Sequence, residues 1–231
     1  MNEKKRRVAF FDVDGTIFRS SLFLQVNERL VAKGIFPESV RNEYADLETK
    51  WLNRKGDYET FLMTTVKSFL WHIKGINYSA LADVAEEIAE EQHARVYCYT
   101  RDLLAELRRK KFYLVAISQS PKTVLQPFCD RIGFDKAYGR IFEIGSTNKF
   151  TGNILDEHLI ANKANIVRRV VEKQNLTLKG SVAIGDTEGD ISMLELVERP
   201  IAFNPNQKLY KWAKRNDWEI IVERKDVIYK L

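Results

Sequence analysis

The sequence predicts an α/β protein, a Rossmann-like doubly wound and mostly parallel sheet with a block of helices inserted after its first strand. Three observations carry this expectation. Short apolar runs alternate with helical patterns through the second half of the chain, and strands separated by helices pair in parallel. A long stretch from about Ser20 to Arg109 has helical periodicity and no convincing strand. Polar residues follow the strand ends, the edge at which open parallel sheets bind ligands.

Val8 to Phe11 is wholly apolar and stops at Asp12, Asp14 and Gly15, as a buried parallel strand does when it empties into a loop. The helical stretch follows. Leu22, Phe23, Val26 and Leu30, then Leu81, Val84, Ala85 and Ile88, recur at the three-and-four spacing of amphipathic helices. Gly34-Ile35-Phe36-Pro37 and Gly75-Ile76-Asn77-Tyr78 punctuate the stretch into about four helices, with Asp57 and Ser79 as candidate N-caps. Trp51, Trp71 and the tyrosines read as its core. Strand character returns at Phe112 to Ile117, around Tyr138 to Ile144, at Ser181 to Ile184 and at Ile201 to Phe203. Helices are expected near Thr123 to Ile132, Leu159 to Gln174, Ile191 to Val197 and Lys208 to Arg215. Lys149 to Leu155, with Thr151-Gly152-Asn153, reads as a small hairpin turn.

Composition excludes several classes. The chain has 231 residues, long enough for one core with a large insertion, and 45% hydrophobic with 30% charged residues is that of an ordinary globular protein. The net charge of +5 is spread among 32 acidic residues, so it predicts a solvated surface and no nucleic-acid partner. Lys4-Lys5-Arg6-Arg7 looks like the start of an export signal, but the apolar run after it is cut off by Asp12, which predicts a cytoplasmic protein without an integral membrane segment. Cys98 and Cys129 are too far apart in sequence to form a metal or redox motif, and His72, His93 and His158 read as core or surface residues.

Four polar features fall at strand ends or a helix start: Asp12-Val13-Asp14-Gly15-Thr16, Ser118, Lys163, and Gly185-Asp186-Thr187-Glu188-Gly189-Asp190. In a parallel sheet those ends share one edge, so the four converge. Together they supply a nucleophile, a proton donor, carboxylate ligands for a divalent cation, and positive or hydrogen-bonding groups for phosphoryl oxygens. Monoester hydrolysis needs all of them, because accelerations approach about 10²¹, or roughly 28 kcal/mol. Unpaired carboxylates at the ends of apolar strands are expensive without a metal or partner, which marks Asp12, Asp14 and Asp186 as functional.

Asp12-Val13-Asp14-Gly15-Thr16-Ile17 resembles the first motif of the haloacid-dehalogenase-like superfamily, and Gly185-Asp186 through Asp190-Ile191-Ser192-Met193 resembles the fourth. Ser118 and Lys163 stand in the order of the second and third. The resemblance covers essentially the whole chain, and the helical insertion between the first two motifs is similar to the phosphoserine-phosphatase-like branch. It implies an α/β core of residues 1–18 and 96–231 and a helical cap, of the type inserted after the first motif, over 19–95. It implies that Asp12 forms an aspartyl-phosphate, and that Asp14 protonates the leaving oxygen and then activates water. Mg²⁺ would be held by the Asp12 side chain, the Asp14 carbonyl and Asp186, with Asp190 in support. Ser118 and Lys163 would bind the substrate phosphate, and Thr16 would hydrogen-bond locally.

The implied reaction is hydrolysis of a small phosphorylated metabolite; a phosphoserine phosphatase proper and a phosphotransferase using the same intermediate are alternatives. The chain departs from phosphoserine phosphatases at Phe18-Arg19-Ser20-Ser21, where an acidic residue is usual, and at Ser118-Gln119-Ser120, where Ser-Gly-Gly is usual. Arg19, Arg41 and Arg54 are candidate contacts for a second anionic group. Sequence leaves the oligomeric state open.

Overall fold

Val8, Ala9, Phe10 and Phe11 are completely buried, and a strand apolar on both sides belongs in the middle of a sheet covered on both faces. The computed structural model, which describes residues 5–231, places it there; Lys4 of the basic cluster lies outside the described residues. The chain runs β1 (Arg6–Asp12), α1 (Leu22–Ala32), a 3-10 helix (Glu38–Glu43), α2 (Ala45–Leu52), α3 (Tyr58–Ile73), α4 (Tyr78–Gln92) and α5 (Cys98–Arg109). It continues through β2 (Tyr113–Pro121), α6 (Lys122–Ile132), β3 (Lys136–Ile144), β4 (Phe150–Leu155), α7 (Glu157–Ile160), α8 (Lys163–Lys173) and β5 (Leu176–Gly185). A 3-10 turn (Glu188–Asp190), α9 (Ile191–Leu194), β6 (Arg199–Phe203), α10 (Gln207–Arg215), β7 (Glu219–Arg224) and β8 (Val227–Lys230) complete it.

The sheet order is β4-β3-β2-β1-β5-β6-β7-β8, with β3 to β7 parallel across the centre and the outermost strand at each side antiparallel. Alternation along β1 divides the core. Ala9 and Phe11 face a cluster that includes residues of α1, α3, α4 and α6, while Val8 and Phe10 face α8, α9 and α10. The expected fold class is the observed one.

The differences are local. Five α-helices and a 3-10 turn, rather than about four helices, fill the stretch before β2. Asp57 caps α3 by accepting from Thr60 N at 2.8 Å, but Ser79 lies inside α4, whose N-cap is Asn77. The hairpin joins β3 and β4 as expected, yet its turn is at Gly145–Asn148, where Asn148 has φ +58°, and Thr151-Gly152-Asn153 lies within β4. The helix expected from Leu159 to Gln174 is two, broken at Ala161-Asn162, where the Asn162 side chain caps α8. Trp71 is 79% exposed and is no core residue, whereas Trp51 stacks on Phe61 with ring centres 5.7 Å apart. Strands β7 and β8 had no expectation: charged residues flank a short apolar run of three in each, and they turn through Lys225-Asp226 without a glycine.

The inserted helices are fastened to the sheet at the far edge. The α3–α4 turn exchanges backbone hydrogen bonds with β4, Gly75 N to Phe150 O at 2.8 Å and Phe150 N to Ile76 O at 2.9 Å, and Tyr78 N donates to Asn148 O. Phe69 of α3 packs on Phe142 of β3. The opposite end of α3, with Asp57 and Tyr58, lies over the carboxyl end of the sheet, where Tyr58 comes near Asp14, Asp186 and Asp12. Among the described residues no helix is long and apolar enough to cross a membrane.

Candidate active site

Strand register fixes the centre of the site. Asp12 pairs with Ile117 and Phe11 with Ile184, so Ser118 and Gly185-Asp186 follow directly beyond the positions flanking Asp12. Past Asp12 the chain reverses tightly: Val13 O accepts from Ile17 N and Phe18 N, at 2.9 and 2.8 Å, and Gly15 takes φ +84°. A Cβ at Gly15 would run into the Asp186 carboxylate, so the position requires glycine for conformation and for space. Thr16 Oγ1 donates to Asp186 Oδ1 at 3.3 Å, which ties the first turn to the loop after β5; the local hydrogen bond expected for Thr16 is replaced by this long-range one.

All six sequence-selected residues meet here. Lys163, the first residue of α8, sends Nζ to Asp12 Oδ1 at 2.6 Å and to Asp190 Oδ1 at 2.5 Å, and all three side chains are buried. Asp190 Oδ2 accepts from Asp186 N and Thr187 N, both at 3.0 Å, so both Asp190 oxygens are engaged, one by its own loop and one by Lys163. Asp14 turns away from this group. Its Oδ1 accepts from Leu22 N at 2.6 Å, and its Oδ2 accepts from Ser118 Oγ at 2.5 Å and Ser120 Oγ at 2.8 Å. Asp12 Oδ2 is buried without a partner among the described residues.

Among the described residues Lys163 pairs directly with Asp12 and Asp190, and Asp14 and Asp186 feel its charge from farther off. Burial pushes the Asp12 carboxyl up to about 7, with Lys163 opposing and Asp190 and Asp14 reinforcing the rise. Burial, then Asp12 and Asp190, push Asp186 well up. Asp14 is raised by burial against the pull of its Ser118, Leu22 and Ser120 hydrogen bonds. Burial disfavours the charge of Lys163, yet Asp12 and Asp190 hold it above the ordinary lysine range.

The crowd suits a hard cation. Asp12, Asp186 and Asp190 each offer an oxygen within 4.8 Å of the others, and the orphaned Asp12 Oδ2 is a free ligand atom. Oxygen donors of this kind fit Mg²⁺, with waters completing its shell. Both oxygens of Asp190 already accept hydrogen bonds, whereas Asp12 keeps one oxygen without a partner among the described residues and Asp186 accepts only from Thr16. Divalent cation is expected to raise the thermal unfolding midpoint. At 100 times the dissociation constant the gain is about 2.7 kcal/mol, and chelator should remove it. A midpoint indifferent to Mg²⁺ and chelator would rule out the metal centre.

Two residues of the site escaped sequence reasoning. Ser120 is buried and reaches Asp14, and burial raises the phenol of Tyr58 at the start of α3, with Asp14, Asp186 and Asp12 close enough to reinforce the rise. The arginines weighed for a second anionic group are otherwise placed. Arg41 pairs with Glu28 and Glu38, Arg19 lies over the Tyr97 ring, and Arg54 is exposed.

A sequence model of the haloacid dehalogenase-like hydrolases matches residues 9–195. The chain is 28% identical over 216 residues to a phosphoserine phosphatase of Mycobacterium tuberculosis, covering 92% of this chain and 69% of that protein. It is 24% identical to a histidinol-phosphatase of Neisseria meningitidis, covering 94% and 98%. A crystal structure from Bordetella pertussis superimposes with a TM-score of 0.74 at 21% identity, covering 94% of this chain and 98% of the other.

Proposed function

This chain belongs to the haloacid dehalogenase-like hydrolases, and on that premise we propose that it is a Mg²⁺-dependent phosphatase acting on a small phosphomonoester through an aspartyl-phosphate on Asp12. The observation that carries the reading is the state of Asp12: one carboxylate oxygen is held by Lys163 and the other is buried, unpartnered and at the carboxyl end of the sheet. An oxygen desolvated in this way, with its partner oxygen fixed, is a preorganised nucleophile.

In the first step Asp12 attacks phosphorus, the bond to the leaving oxygen breaks, and Asp14 gives that oxygen a proton. In the second, Asp14 takes a proton from water as the water oxygen attacks phosphorus and the bond to Asp12 breaks. Lys163 keeps Asp12 in place and offsets the charge of the incoming phosphate. Bound Mg²⁺, held by Asp12, Asp186 and the Asp14 carbonyl, would neutralise the carboxylates and polarise the phosphoryl group. In this reading Ser118 donates a hydrogen bond to the substrate phosphate, although here its hydroxyl is given to Asp14.

The inserted helices, taken as a cap over residues 19–95 on a core of 1–18 and 96–231, bring Tyr58 above the carboxylates and so limit what can enter. A small substrate fits this placement. Relatives of similar identity are named for phosphoserine and for histidinol phosphate, so family membership leaves the leaving group open. Without an acidic residue in Phe18-Arg19-Ser20-Ser21, a substrate amine finds no obvious partner there, which favours a monoester other than phosphoserine.

A panel of phosphorylated metabolites and p-nitrophenyl phosphate, assayed with Mg²⁺ and with chelator, tests the proposal. Turnover of at least one small monoester that disappears in chelator is expected. Turnover unaffected by chelator, or preference for phosphoproteins, would overturn it, and phosphate passed to an alcohol acceptor in preference to water would favour a phosphotransferase.

A further inference from the structure

Asp14 must act in two forms, and the structure shows a difficulty with one of them. An acceptor oxygen of a carboxyl group has two lone-pair directions. Both directions at Asp14 Oδ2 are filled, by the hydroxyls of Ser118 at 2.5 Å and Ser120 at 2.8 Å, while Oδ1 is held by Leu22 N. A carboxylate in that setting is well stabilised as a base. A carboxyl group about to donate a proton from Oδ2 needs one of those directions free.

The two serines differ in what else they do. Ser118 Oγ also accepts from Ser120 N at 2.8 Å, so its hydroxyl is anchored as an acceptor and can turn its proton elsewhere without leaving its position. Ser120 is 2% exposed, and its Oγ bonds to Asp14 alone among the described residues. We propose that Ser120 is a positioning residue that keeps Asp14 aimed while Ser118 turns its hydroxyl to the phosphoryl group, an assignment that rests on the phosphatase reading.

With Ser118 turned, one lone-pair direction of Oδ2 opens. It holds the proton that passes to the leaving oxygen as the bond between phosphorus and that oxygen breaks and the bond to Asp12 forms. Ser120 occupies the other direction throughout and fixes where the proton points. Once the leaving group has departed, the same carboxylate, still held by Ser120 and Leu22 N, takes a proton from the attacking water. The hydroxyl at position 120 therefore supports a two-form carboxyl that Ser118 alone cannot serve while it also binds phosphate.

The test compares leaving groups. In single-turnover measurements of leaving-group release with Mg²⁺, Ser120→Ala should slow the best alkyl phosphate from the panel by about 10- to 100-fold, the effect of one hydrogen bond to an ionised group. Release of p-nitrophenolate, which needs little protonation, should fall less than about 5-fold, by the same transition-state arithmetic. KM and inhibition by inorganic phosphate should stay near the parent values, whereas Ser118→Ala should weaken phosphate inhibition. Ser120→Thr keeps the hydroxyl and should recover most of the alkyl-phosphate rate, and Ser120→Cys, of similar size but a weak donor, should behave like the alanine variant even if the latter folds poorly. Equal losses on both leaving groups, a change confined to KM, or no change at all would overturn the assignment while leaving the phosphatase reading intact. A parent protein that hydrolyses no phosphomonoester would remove both.

Discussion

Asp12→Asn is expected to abolish phosphomonoester turnover, by about 10⁵- to 10⁶-fold as for removal of other covalent nucleophiles, while making the metal-free protein more stable at neutral pH. The two effects have one origin. The amide cannot attack phosphorus, and it also removes a charge that the folded protein holds at a cost. Burial raises the folded Asp12 carboxyl from an ordinary 3.8 to about 7, so below about pH 4 the group is neutral in both states and imposes no penalty. As pH rises from about 4 to about 7 the unfolded chain ionises first, and folding becomes less favourable by up to about 4 kcal/mol at ~1.4 kcal/mol per decade. Asparagine is neutral throughout. In chelator the variant should therefore exceed the parent in chemical-denaturation stability at pH 7, the gap closing as pH falls to about 4. Divalent cation should narrow it by restoring the parent. A variant less stable than the parent at pH 7 in chelator would show that Asp12 is not held against its own charge, and residual turnover within about 100-fold of the parent would remove it as the nucleophile.

The legible parts of this protein are those where local chemistry and fold agree. Val8 to Phe11 reads as a buried central strand, and carboxylates at its end needed a reason; the structure gathers Asp12 and Asp186 with Asp190 around one point and turns Asp14 beside them to Ser118 and Ser120. Lys163 was visible as a cation at the positive end of a helix, an unfavourable place unless it answers other charges, and it bridges Asp12 and Asp190. What sequence could not show depends on tertiary position. Tyr58 sits in an amphipathic helix among aromatic residues and reads as core, because helical periodicity says which face is buried and not what it is buried against. Ser120 follows Ser118 by two residues, the strand spacing that returns a side chain to the same face, so the signal was there once Ser118 was placed in β2. Strands β7 and β8 carry too few consecutive apolar residues to rise above the surrounding charge.

Lys163→Met is expected to cost both fold and function, and its pH dependence separates its role from that of a simple phosphate-binding lysine. Nζ lies 2.6 Å from Asp12 and 2.5 Å from Asp190, and the three side chains are 7%, 9% and 1% exposed, so water cannot replace it. Removing one partner of a buried ion pair typically costs about 3 to 5 kcal/mol, because the charges left behind remain desolvated. Here they are two direct partners with Asp14 and Asp186 close by. Methionine fills nearly the same space, so the loss is one of charge more than of packing. The cost requires ionised carboxylates: it should be larger at pH 7, where Asp12 is about half ionised, than near pH 5, and should shrink as pH falls and Asp12, Asp14 and Asp186, all raised by burial, take up protons. Combining it with Asp12→Asn should cost less than Lys163→Met alone, since the double variant lacks one of the stranded charges. Denaturation of the parent and the three variants in chelator, at pH 7 and near pH 5, reads all of this. A Lys163→Met protein as stable as the parent at pH 7, or a loss independent of pH, would mean that Lys163 does not balance the carboxylate cluster and serves only the incoming phosphate.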